Sequence, residues 1–182
     1  MPTRISPPTP TLPNPTDALT PLPPQLLARI ALDFATTATL GPASLPAPGE
    51  RSFERVNIGP HFDIWVIRWG AASATALHDH GGSAGAFVVV EGRLVEYTPN
   101  PAGSGRRLRR DFRALDTRPM AASHIHTVVN ETQAPATSVH LYSPPLVAMQ
   151  HYDESPGIGA PHPRFREIVH DGTLPLRDAI DH

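Results

Sequence analysis

"TALHDHGGSAGAFVVVEGRLVEY", Thr75 to Tyr97, sets two histidines one residue apart, follows them with a glycine pair, and then runs into a block of valines. In extended backbone, side chains at i and i+2 share a face, so His78 and His80 project side by side while Asp79 turns away. Two adjacent imidazoles on one face have the geometry of paired metal ligands. His-x-His also occurs on exposed strands, because imidazole is at home on half-buried surfaces. The segments around it must decide.

Outward from this stretch, the pattern has period two. Phe62 to Trp69, Ala76 to His80, Phe87 to Glu91, Arg93 to Tyr97, Asp111 to Leu115, Ile125 to Val129 and Ser138 to Ser143 are strand candidates. Turn signals such as "HGGS", "EG", "NPAGSG" and "NETQAPA" separate them. No helical crossovers are present to join parallel neighbours, so the reading is a mainly β sandwich or barrel. Ahead of it, "QLLARIALDFAT" places Leu26, Leu27, Ile30 and Phe34 on one helical stripe, with Pro24 suited to the first turn. Residues 1–23 are too rich in proline for a helix or a ladder and read as an extended or disordered lead. The expected division is a lead over 1–23, one domain over 24–157 including the helix, and a C-terminal tail over 158–182. "GRRLRRDFR" reads as a solvated hairpin arm.

A third imidazole can come from either of two other strands. "SHIHTVVNE" carries His124 and His126, on a shared face where the strand extends back to His124, and "TSVHLYSPP" places Ser138, His140 and Tyr142 on one face. Several polar groups converging inside an apolar barrel need a reason, since an unpaired buried polar group costs ~1 to 3 kcal/mol. A metal supplies one. Cysteine is absent, so any metal is held by nitrogen or oxygen, and there is neither a disulfide nor a thiol nucleophile.

Composition excludes other classes. A chain of 182 residues, 40% hydrophobic, is the size of one domain with a core. A net charge of -2 gives no basic face for nucleic acid. No apolar run approaches the ~20 residues that span a bilayer, and the N-terminal stretch lacks a signal-peptide h-region. The expectation is a cytoplasmic protein without nucleic-acid or membrane partners, monomeric by default. Every basic side chain is Arg, which reads as codon bias of a GC-rich bacterial genome.

The segment from His78 to Gly92 resembles the first cupin motif, with Gly85 where its glutamate belongs. His126 and Asn130 match the second motif's HxxxN, with Ala121 and Ser123 in place of its Pro-x-Gly. A cupin with three histidines and no glutamate is similar to the cysteine dioxygenase family of thiol dioxygenases. "LHDHGGSAG", "HTVVN" and "SVHLYSPPL" carry that resemblance, which covers roughly Arg51 to Tyr152. It implies a cupin barrel (double-stranded β-helix, jelly roll) with a short N-terminal helix.

The resemblance also implies the site. Fe(II) would be held by His78, His80 and His126, leaving His124 a bystander. Three neutral imidazoles leave the ion its full charge, which favours an anionic ligand such as a thiolate. Tyr142, oriented by His140 and supported by Ser138, would serve the substrate or oxygen. Arg55 would pair with the substrate carboxylate, with Arg51 and Arg68 as alternatives. Gly85 also occupies the place of the cross-linking cysteine of many mammalian members, so that thioether cannot form, as in the bacterial branch. The implied activity is addition of both atoms of O2 to the sulfur of L-cysteine, giving cysteine sulfinic acid. The alternatives are 3-mercaptopropionate or another small thiol carboxylate as substrate, and, in a different class, a non-catalytic metal-binding sensor. An isomerase or oxalate-type cupin is disfavoured by the missing glutamate.

Overall fold

The computed structural model describes residues 21–40, 44–100, 105–153 and 161–169. Among the described residues one helix, α1 (Pro24–Thr37), precedes ten strands: β1 (Arg51–Ile58), β2 (Asp63–Trp69), β3 (Ala84–Glu91), β4 (Arg93–Thr98), β5 (Leu108–Arg113), β6 (Thr117–Met120), β7 (Thr127–Val129), β8 (Ala136–Ser143), β9 (Ala148–Tyr152) and β10 (Pro163–Ile168). The main sheet has the order β1-β2-β8-β3-β6, a second sheet β5-β4-β7, and a third β10-β9. Every pairing is antiparallel. The mainly β expectation with one N-terminal helix holds.

The central strands of the main sheet, β2, β8 and β3, are buried on both faces, which explains why "AFVVV" reads as a continuous apolar run rather than an alternation. One face packs against α1, where Leu27, Ala28 and Ala31 meet Ile64, Val66, Ala86, Val88, Val139 and Leu141. The two alanines let the helix approach the sheet closely, and complete burial of Leu27 contributes about 1.5–3 kcal/mol. The helix buries this face rather than the full Leu26–Phe34 stripe, because Ile30 and Phe34 lie only at its margin. The opposite face, with Trp65, Trp69, Phe87 and Val89, packs on Leu94, Phe112 and Val128 of the second sheet. This is the barrel interior.

Gly92 makes the tight turn between β3 and β4. Its φ is +80°, and an added Cβ would lie 2.8 Å from both Ala136 Cβ and Pro135 O, so the glycine of the first motif is a steric requirement here.

Several elements depart from the sequence reading. β1, β6 and β9 are absent from the strand candidates: in β1 "RSFERVN" carries charged residues on both parities, and β6 and β9 are short. Ala76 to His80 is not a regular strand; His78 forms single bridges to His126 on one side and His151 on the other. The side-chain alternation survives, since His78 and His126 exchange both backbone hydrogen bonds, at 3.0 and 2.9 Å. Part of the stretch expected as a tail is β10, which pairs with β9, and Val169 just beyond it belongs to the interior core. The signal was weak because β10 is largely exposed along its length. The arginine arm is β5, exposed except for Phe112. Residues 1–20 of the proline-rich lead lie outside the described residues. Among the described residues, no helix is long and apolar enough to cross a membrane.

Candidate metal centre

His78, His80 and His126 are buried, and one ring nitrogen from each lies within 4.8 Å of the others. His78 is held by a hydrogen bond from Nδ1 to Ala76 O at 2.8 Å, and His126 by one from Nδ1 to Glu96 Oε1 at 2.9 Å. Both acceptors demand a proton on Nδ1, so the Nε2 lone pairs of both rings are available inward. His126 Nε2 stands 3.3 Å from His80 Nε2, while His80 Nδ1 is buried without a hydrogen-bond partner among the described residues. Burial, then the positive field of His126, pushes His78 and His80 well below the ordinary imidazole range. Burial also lowers His126, against the pull of Glu96. Three neutral imidazoles with converging lone pairs fit a divalent transition metal, and this donor type suits iron, zinc, copper or nickel.

The backbone that presents them is tied down from outside. Asp79 faces away from the trio, accepts Gly81 N–H at 2.8 Å, and takes the Tyr152 hydroxyl at 2.5 Å. Asn130, the last residue of the HxxxN match, is a turn anchor: its amide donates to Gly70 O and Ala134 O and accepts from Thr132.

Ser138, His140 and Tyr142 line up along β8 on the interior face. Ser138 Oγ is 2.9 Å from His140 Nε2, and Tyr142 Oη is 3.2 Å from His140 Nδ1. Trp69 Nε1, which can only donate, gives its hydrogen to Ser138 Oγ at 2.9 Å. The serine hydrogen then finds its acceptor at His140 Nε2, His140 donates from Nδ1 to Tyr142 Oη, and the tyrosine hydrogen is left to donate elsewhere. Burial lowers His140 to about 3, so the ring stays neutral. Burial and the nearby Asp63 carboxylate push the Tyr142 hydroxyl up, so it stays protonated. The Tyr142 ring lies 4.8 Å from that of His80, which brings the relay's end to the histidine trio.

Arg55 is placed differently from the simple carboxylate clamp. Its Nη2 and Nε donate to Asp63 Oδ2 at 2.8 and 3.1 Å, Nη2 also reaches Leu146 O at 2.8 Å, and the guanidinium lies 4.7 Å from the Trp65 ring centre. Arg51, opposite Trp69 on the same interior face, stands 5.5 Å from that ring's centre, and its charge is felt by His78, His140 and Tyr142. Arg68 lies on the α1-facing parity of β2, 3.8 Å from Glu54. His124 stays outside the trio and bonds Glu96 at 2.7 Å.

Sequence reasoning overlooked Glu96, Asp63 and Trp69. Each had a legible signal, for Glu96 shares the parity of buried Leu94, while Asp63 and Trp69 share that of Trp65.

The family model for cysteine dioxygenase type I matches residues 47–155. Human and rat cysteine dioxygenase type 1 are each 27% identical over 103 residues, covering 53% of this chain and 52% of theirs. The chain thus spans about half the length of the curated relatives it matches. Among solved structures, an RmlC-like cupin protein from Desulfovibrio desulfuricans superposes with a TM-score of 0.50 at 16% identity, over 60% of this chain and 96% of that one. That likeness concerns the fold alone.

Proposed function

This chain belongs to the cysteine dioxygenase type I family, and from that premise we propose that it is an iron-dependent thiol dioxygenase acting on a small thiol carboxylate, L-cysteine first. The overall change is RSH + O2 → RSO2H, in which both oxygen atoms end on sulfur and no external reductant is consumed. The observation that carries the reading is the meeting of two devices, the three-histidine face and the Ser138–His140–Tyr142 relay that ends beside it.

His78, His80 and His126 would hold Fe(II), which supplies a cationic centre where a thiolate and O2 can be brought together. The residues of the chain do the rest. Tyr142 presents a protonated hydroxyl whose hydrogen is aimed away from His140, suited to bond a substrate carboxylate or a reacting oxygen. His140 orients that hydroxyl, Ser138 holds His140 in one tautomer, and the buried aromatic walls exclude water. A module that only stored or sensed a metal has no use for such a relay, which is the argument against the non-catalytic alternative.

Arg55 is the proposed carboxylate partner by family position. The field of Arg51 at His140 and Tyr142 favours a second reading in which Arg51 takes the carboxylate, with 3-mercaptopropionate or a related acid as the other candidate thiol. The test is anaerobic loading with Fe(II), followed by O2 consumption and sulfinate formation with L-cysteine and 3-mercaptopropionate side by side. Stoichiometric sulfinate from L-cysteine supports the first reading, and preference for the thiol lacking an α-amino group supports the second. Tight iron binding without oxygen uptake from either thiol points to the sensor.

A further inference from the structure

We infer that Glu96 is a positioning residue of the metal centre: buried behind His126, it sets that ligand's tautomer and lends the three-histidine face the negative charge that Gly85 withholds. This rests on the reading of the three histidines as metal ligands.

Glu96 is 1% exposed and stands on β4, in the second sheet. Its Oε1 accepts from His126 Nδ1 at 2.9 Å and His124 Nε2 at 2.7 Å, and its Oε2 accepts from Arg118 Nε at 2.7 Å. An ionised carboxylate only accepts, so the proton of the His126 contact sits on Nδ1 and the Nε2 lone pair faces His80 and His78. A carboxylate on the far nitrogen of a ligating histidine also makes that ring a stronger donor. Glu96 is the single carboxylate, among the described residues, that hydrogen-bonds a member of the trio.

Glu96, His124 and His126 also lie close enough together to hold a cation of their own. Their hydrogen bonds already join them, with Arg118 bringing a positive charge to the same carboxylate, so a second ion has no vacant donor there. The charge cannot come from the motif position either. A Cβ on Gly85 would lie 3.0 Å from Leu141 O and 3.1 Å from both Met120 Cε and Tyr142 Cδ1. The carboxylate that the first motif places against the metal is thus replaced by one placed a shell further out, through His126. Arg118 and His124 then govern how much of its charge reaches the ring.

The test uses Co(II) as the probe, with affinity read by competition against a chromophoric chelator and the ligand field read from the visible spectrum, on the full-length chain. Glu96→Gln keeps the shape and removes the charge; it is expected to weaken Co(II) binding ~10- to 100-fold and to shift the visible bands. Arg118→Gln keeps the carboxylate and removes its counter-charge, and it is expected to tighten binding a few fold. A merely structural role for this cluster predicts loss in both variants. Unchanged affinity and spectrum in Glu96→Gln, or weaker binding in Arg118→Gln, overturns the inference while leaving the trio as ligands. Failure of the unaltered protein to bind one Co(II) overturns the trio reading, and the inference with it.

Discussion

Arg55 and Asp63 form an ion pair across β1 and β2, Nη2 to Oδ2 at 2.8 Å, with side chains only 5% and 0% exposed. Asp63 Oδ2 also accepts from Trp65 Nε1 at 2.9 Å and Leu146 N at 3.1 Å, so one oxygen gathers donors from three places in the chain. Burial pushes Asp63 up, and the hydrogen bonds from Trp65 and Arg55 oppose it.

Breaking that pair from one side leaves a buried charge uncompensated. Arg55→Met is expected to cost about 3–5 kcal/mol in urea unfolding, and Arg55→Met with Asp63→Asn, which removes the charge but keeps an acceptor for Trp65 and Leu146, to recover most of it. A double variant no more stable than the single one would show that the pair is not coupled in this way.

Removing His126 takes away both a ligand and the link to Glu96. His126→Ala is expected to abolish stoichiometric metal binding and, with it, oxygen uptake on thiol addition. A fully loaded, active variant excludes His126 from the ligand set.

The relay ends on a hydroxyl, and losing that hydroxyl should leave the trio intact. Tyr142→Phe is expected to retain one metal per chain while product formation falls on the order of 10²-fold. Trp69→Phe, which frees the Ser138 hydroxyl to reverse, should give a smaller loss in the same assay. An unchanged rate for Tyr142→Phe removes its hydroxyl from the reaction.

Acid should destabilise the metal-free protein through histidine. His140 is held down to about 3 from 6.5 by burial, so between those values the unfolded chain binds a proton that the folded one refuses. Stability is fully present above about pH 6.5 and is lost as pH falls, by about 2 kcal/mol at pH 5 from this residue alone. Urea midpoints of the metal-free protein measured from pH 7.5 to 5 check it; replacing His140 with Gln should flatten the slope.

Gly85 leaves room for the Tyr142 ring and the Met120 methyl. Gly85→Ala is expected to cost about 1–3 kcal/mol and to displace Tyr142, seen as slower turnover with metal content unchanged. Full activity in a stable Gly85→Ala protein would show that the ring tolerates the added methyl.

Much of the site was legible because strand periodicity is local. From alternation alone His78 with His80, and Ser138 with His140 and Tyr142, fall on shared faces, and they share them in the structure even though residues 76–80 make only isolated bridges. β1, β6, β9 and β10 escaped: β1 and β10 set Arg and Glu among their apolar residues, and β6 and β9 are too short to show a hydrophobic period, so pairing with other strands defines them.

The choice among His124, His126 and His140 as third imidazole could not be made from spacing, for His126 and His140 sit on candidate strands and His124 has the same parity just ahead of one. Backbone pairing made it: His126 lies directly across from His78, whereas His140 stacks on Phe87 and His124 turns to Glu96. The same holds for the arginines. Their number and order were plain in the sequence, but only the fold brought Asp63 against Arg55 and the field of Arg51 onto His140 and Tyr142. Which side chains share a face follows from the geometry of one strand and is written in the sequence; which faces meet, and which charges they neutralise, depends on contacts between strands far apart in the chain, and that was decided by the tertiary structure.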